Sequence, residues 1–151
     1  MTAAVTLAAL GNGPAFSVTK SGSQTITSGV FTTITYDIVQ FDTNSNFASN
    51  RFTPTVAGYY QINGSIYVAS TLTVTRVIPQ LSKNGGGIRF GTDASQRDGV
   101  SEMRAFVGAV VYMNGTTDYL TLVGYATGTG TLSFGSSADN NCFNGAMVRG
   151  A

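Results

Sequence analysis

The stretch RFTPTVAGYYQINGSIYV, Arg51 to Val68, combines a proline, an Ala-Gly step, two adjacent tyrosines and then apolar residues at every second position. Side chains alternate across a strand, so one face carries Tyr60, Ile62, Gly64, Ile66 and Val68 and the other Tyr59, Gln61, Asn63, Ser65 and Tyr67. The first set is an ordinary core face. The second is polar yet holds two large rings. The same doubling recurs over Val100–Met113, where Met103, Ala105, Val107, Ala109, Val111 and Met113 form a core face. Opposite them stand Glu102, Arg104, Phe106, Gly108, Val110 and Tyr112, a row that turns apolar in its second half. Antiparallel strands that are apolar on both faces are covered on both. In one domain without helical segments, the cover expected for the second face is another copy of the chain. Tyr59, Tyr67, Phe106, Val110 and Tyr112 are the expected contact residues.

The rest of the chain agrees with an all-β reading. No segment repeats apolar residues at helical spacing for more than a turn or two, and β-branched and aromatic residues dominate. Expected strands are Ala15–Thr19, Gln24–Thr27, Phe31–Phe41, Arg51–Thr53, Gly58–Ala69, Thr71–Ser82, Ile88–Gly91, Val100–Met113, Asp118–Ala126, Thr131–Phe134 and Cys142–Arg149. Between them lie KNGGG, MNGTTD, TGTG and SSADNN, which supply the left-handed residues that hairpins need. Many short strands at this spacing indicate a sandwich or barrel. With 151 residues the chain is one domain. Residues 1–14 read as an arm and residues 15–151 as the compact domain.

Charge and composition restrict the partners. Charged residues make up 10% of the chain, with Lys+Arg 8 against Asp+Glu 7, so no electrostatic footprint for nucleic acid or an anionic membrane surface exists. The amino-terminal MTAAVTLAALGNGPAF has an apolar stretch but no basic flank, and the stretch is too short to insert across a bilayer. It is expected to be neither leader nor anchor. A single cysteine, Cys142, leaves no intrachain disulfide, and the expectation is a small hydrophobe in the last strand.

Several chemistries are excluded outright. The sequence contains no histidine, which removes Ser-His and Cys-His catalysis and histidine metal sites, and one cysteine cannot build a thiolate zinc cluster. Asp93 and Asp98, with Glu102 following, offer the carboxylates a glycosidase pair needs, but an acidic turn is far more often solvated. Oxygen-rich groups at Asp42–Asn46 and Asp139–Asn141 suit calcium, although turn formation by Asx residues explains both more cheaply. No catalytic residue, metal or cofactor is therefore expected.

Five motifs, in chain order, resemble the globular heads of complement component one q and the wider tumour-necrosis-factor-like jelly rolls. Phe52–Tyr60 (FTPTVAGYY) is similar to the family signature, with Phe52, Pro54, Gly58 and Tyr60 at its marked positions. Gln80–Gly85 (QLSKNG) resembles the family strand ending in Lys-Asn-Gly. Val110–Leu122 (VVYMNGTTDYLTL) resembles the Gly-Asp strand pair, with Asp118 as the aspartate and two threonines inserted. Cys142–Val148 (CFNGAMV) resembles the closing strand, with Phe143 and Gly145 matched, and Ala15–Val18 (AFSV) the opening one. The resemblance implies a ten-stranded jelly roll assembled as a homotrimer whose inner sheet faces the threefold axis.

The stand-alone form, without a Gly-X-Y stalk, most resembles structural proteins of tailed bacteriophages. It implies a non-enzymatic virion component folded in bacterial cytoplasm: a head fibre, a capsid decoration or a tail-fibre tip. Expected partners are itself, capsid or tail proteins, and in some settings a host-surface glycan or protein. Val5, Leu7 and Leu10 on the arm are expected to dock to the particle, or else to add a first strand to a sheet. The alternative is a lectin-like adhesion module acting outside a virus.

Overall fold

A computed structural model of the chain describes residues 13–136 and 140–151. The docking residues Val5, Leu7 and Leu10, and Asp139, lie outside the described residues. Twelve strand segments are present: β1 (Ala15–Thr19), β2 (Gln24–Ile26), β3 (Thr32–Thr33), β4 (Ile38–Asp42), β5 (Phe47–Ala48), β6 (Arg51–Phe52), β7 (Gly58–Lys83), β8 (Gly86–Phe90), β9 (Ala94–Met113), β10 (Leu120–Thr129), β11 (Leu132–Phe134) and β12 (Cys142–Gly150). All pairings among them are antiparallel.

One long bent ribbon organises the molecule. β7 runs out, turns at Asn84-Gly85, and returns as β8 and then β9, with Lys83 opposite Gly86 at one end and Gly58 opposite Met113 at the other. Asn84 (φ 54) and Gly85 (φ 85) both occupy the left-handed region, the conformation a two-residue hairpin of this hand requires. The first half of β7 pairs with β12, and β12 with β1 and β1 with β4. The second half pairs with β10, which also holds β3 and β6. Register shifts after Ala69 and again after Val74 mark where the ribbon bends from one layer to the other. The strands expected at Gly58–Ala69 and Thr71–Ser82 are thus one continuous element.

The two layers enclose the core. Tyr60, Ile62, Ile66 and Val68 of β7 are fully buried, as are Leu120, Leu122 and Ala126 of β10. A Cβ on Gly64 would lie 2.6 Å from the Leu122 side chain, and one on Gly124 2.4 Å from the Phe134 ring, so the layers meet directly there. At one end Phe16 stacks on Phe52 (4.2 Å between ring centres) and meets Phe143 edge-on (5.0 Å), while Phe52 meets Tyr60 edge-on (5.5 Å). The signature residues Phe52, Pro54, Gly58, Tyr60, Phe143 and Gly145 are all buried. Gly58 and Gly145 are small for a stated reason: a Cβ would fall 2.5 Å from the Arg149 carbonyl oxygen in the first case and 2.9 Å from that of Gln61 in the second.

Three expectations are revised. The single strand over Phe31–Phe41 is two: Thr32–Thr33 pairs with β10, with Ile34 N donating to Leu122 O, Tyr36 N then turns to donate to Asn50 Oδ1, and Ile38–Asp42 pairs with β1. β9 starts at Ala94, where Ala94 and Ser95 pair with Val77 and Arg76 across the ribbon although ASQRDG has no alternating pattern. The described domain extends back past Ala15: Met147 N donates to Pro14 O.

Candidate interaction face

The layer formed by β9, β7, β12, β1 and β4 turns its outer surface to solvent. Register places Tyr112 opposite Tyr59, Val110 opposite Gln61, Gly108 opposite Asn63 and Phe106 opposite Ser65. Across the other edge of β7, Gln61 faces Ala146, Asn63 faces Asn144 and Ser65 faces Cys142. On this surface Phe106 is 60% exposed, Val110 58%, Tyr112 44% and Tyr59 42%. The Tyr59 and Tyr112 rings lie 5.4 Å apart. These four expected contact residues share one face, while their neighbours Ala105, Val107, Val111 and Tyr60 point into the core.

Tyr67 is placed differently from the other four. It is half-buried, its ring lies against Gly135, and the Arg104 guanidinium sits 4.8 Å from its centre. Its own chain already covers much of it. Val148, which the sequence reading did not name as a contact residue, belongs to the exposed apolar set at 47%: alternation along the last strand from buried Phe143, Gly145 and Met147 turns it outward. A register shift between Met147 and Arg149 ends that alternation just beyond it. Cys142 opens the last strand, as expected, and lies partly exposed on this outer face with Sγ 3.1 Å from Ser65 Oγ.

Polar groups hold the scaffold beneath the face. Lys83 Nζ donates to Tyr112 O (2.7 Å) and pairs with Asp118 Oδ2 (2.7 Å). Asp118 also accepts from Asn84 Nδ2 (2.8 Å) and Asn114 N (3.0 Å), and Asn84 Oδ1 accepts from Tyr119 N (2.9 Å). The Lys83 hydrogen bond, then that of Asn84, holds the Asp118 carboxyl below the usual carboxylate range. The residues of the Lys-Asn-Gly and Gly-Asp motifs therefore tie two hairpin turns together.

Two of the acidic groups weighed as chemistry, Asp93 and Asp42, are otherwise engaged. Asp93 forms a two-pronged pair with Arg76 (2.8 and 2.6 Å), which lowers its carboxyl. Asp42 accepts from Asn46 N and Phe47 N, as a turn-forming aspartate does. Among the described residues, no three His, Cys, Asp or Glu side chains are grouped as metal ligands would be. On the other layer, outside this face, Phe31 packs on Tyr125 (4.9 Å) and near Phe90 (6.0 Å). Phe31 and Phe90 are 43% and 58% exposed, and the sequence reading assigned no role to this patch.

No protein-family model matches the chain, and no curated protein matches it in sequence. Solved structures do match in fold. The globular domain of zebrafish complement 1qA is similar with a TM-score of 0.68 at 17% identity, over 92% of this chain and 99% of that one. Eiger TNF from S. frugiperda gives 0.64 at 10% identity, over 93% and 95%. Murine APRIL gives 0.64 at 6% identity, over 90% and 99%. The chain has the jelly-roll fold of the complement one q and tumour-necrosis-factor heads, as the motifs from Phe52 to Val148 imply.

Proposed function

We propose that this chain is a non-enzymatic, self-associating structural module, a homotrimeric jelly roll that serves a bacteriophage virion as a head fibre, capsid decoration or tail-fibre tip. The observation that carries the self-association is the row Tyr112–Tyr59 with Val110, Phe106 and Val148, exposed on a layer whose other face is core. With 40–60% of each side chain accessible, the row presents on the order of 400 Å² of apolar surface. That suits the dry centre of an interface burying about 800 Å² per partner. A further copy is the occupant that supplies a matching surface, since a closed threefold ring turns the same face of every copy toward one axis.

Placement on a virion rests on the resemblance of RFTPTVAGYY and NGTTDYL to phage structural proteins. Sedimentation equilibrium of the purified chain tests the assembly: three chains per particle at micromolar concentration are expected, and a well-behaved monomer rejects the reading. Labelling the carboxyl terminus and imaging phage particles tests the placement, with label on the head or tail expected and unlabelled particles rejecting it.

The reading as an adhesion module draws on one observation, the Phe31–Phe90–Tyr125 patch, which lies on the opposite layer from the proposed interface and stays accessible in an assembly. Saturable binding of the purified protein to glycan arrays or whole bacteria distinguishes it from a purely structural role.

A further inference from the structure

A belt of neutral amides crosses the proposed interface at right angles to its strands. Gly108, Asn63, Asn144 and Ser17 are consecutive register partners on β9, β7, β12 and β1. Gln61 Nε2 donates to Asn63 Oδ1 (3.0 Å), and Asn63 Nδ2 donates to Asn144 Oδ1 (3.3 Å). Among the described residues Asn144 Nδ2 reaches only Cys142 Sγ, at 3.8 Å. Apolar surface flanks the belt on both sides, with Tyr59, Val110 and Tyr112 toward one end and Phe106 toward the other.

The belt is only half satisfied within the chain. Gln61 Oε1 accepts nothing among the described residues, and the second N–H of each asparagine is left to solvent. In a lone chain water fills these sites at little cost. Once a neighbour covers the apolar flanks that water is removed, and an unpaired amide becomes expensive. An amide is both donor and acceptor, so the matching belt of an identical chain can satisfy it without any charge. The surface also has room for such contact. The missing side chain of Gly108 leaves a depression of about 440 Å³ beside Asn63, Ser65, Phe106 and Cys142. Another of about 360 Å³ lies between Gln61, Asn144, Ser17 and Phe41.

Resting on the reading that copies of this chain pack on this face, we infer that Gln61, Asn63 and Asn144 set the register and the number of chains in the assembly. Tyrosine, valine and phenylalanine surfaces adhere in many alignments; the amides pair in few. The logic is that of a buried asparagine fixing the partner number of a coiled coil while contributing little affinity.

Asn63→Leu and Asn63→Asp, examined by native mass spectrometry and sedimentation velocity, test this. Asn63→Leu is expected to remain associated but to lose the single trimeric species, spreading over two or more stoichiometries. Asn63→Asp is expected to dissociate at pH 8, where three carboxylates would meet, and to regain the trimer when acidified to about pH 4, where a protonated carboxyl again both donates and accepts. Asn63→Leu as one homogeneous trimer overturns the inference, as does a folded monomer, which would make the amide a source of affinity. Recovery of the acidified Asn63→Asp trimer shows the site folds and assembles with a substitute side chain, and failure to recover it counts against the inference. A monomeric wild-type chain would instead reject the underlying interface.

Discussion

Asp118 shows how much a single side chain carries here. It joins Lys83, Asn84 and the Asn114 amide, so two turns that are distant in sequence share one carboxylate. Because these donors hold its carboxyl below the usual value, the unfolded chain binds the proton more readily than the folded one. Its stabilising contribution is present above about pH 4 and is lost as pH falls through the depressed value. Asp118→Asn is expected to cost about 2 kcal/mol at neutral pH and to flatten the acid limb of a stability–pH curve followed by urea denaturation. Tyr60 and Tyr36 both act on the alkaline side, burial holding the Tyr36 hydroxyl well above the usual tyrosine range. Burial pushes the Tyr60 hydroxyl up to about 12, and that hydroxyl donates to Val56 O (2.7 Å). The unfolded chain releases this proton near pH 10 and the folded chain only near 12. The Tyr60 contribution is therefore whole below pH 10 and is lost between the two values, and Tyr60→Phe is expected to remove that share of the alkaline loss for a cost of about 1 kcal/mol at pH 7. At this scale the sequence was legible wherever a motif carried a reason that geometry could meet: Phe52, Gly58, Tyr60 and Phe143 all lie where the resemblance implies a packed end of the sandwich. Cys142 lies in the last strand, as read, and its contact with Ser65 comes from the pairing of that strand with β7.

Among the elements, alternation identified the strands that have one wet and one dry face and failed for those defined by pairing alone. Tyr60 to Val68 and Met103 to Met113 alternate as a period of two demands, and their buried sets follow it. Phe47–Ala48 and Arg51–Phe52 are two-residue segments held by their partners, too short to show any period. Ala94–Val100 is strand because the second half of β7 offers it open backbone groups, not because its residues favour extension. The clamp between β7 and β12 gives an element-scale prediction. Gly58→Ala would press a methyl group against the Arg149 carbonyl, so a loss of about 1–3 kcal/mol is expected. Calorimetry should show a lower melting temperature, and an unchanged one would mean that β12 yields at no cost.

For the whole molecule, the outward row on the β9–β7–β12 layer is the surface proposed for self-association. Phe106 is well exposed in one chain and flanked by Ser65, Gly108 and Arg104, so a change there leaves the core untouched. Phe106→Arg is expected to convert the proposed trimer to monomers in light scattering, because a guanidinium would lose its hydration at a packed contact. Retention of the wild-type mass would remove this face from the interface. The face was readable from Val100–Met113 because that strand is apolar on both sides. The Phe31–Phe90–Tyr125 patch was not, since its three rings come from three separate segments that meet only in the folded layer.

The bent ribbon from Gly58 to Met113 has a bearing on how the molecule comes apart. Each arm of that ribbon supplies backbone to both sheets, so neither sheet can open without unzipping the other. Amide protons on the two sides of the sandwich should then share one slow exchange class governed by global opening, leaving the short segments around Thr32–Thr33 and Phe47–Ala48 to fray alone.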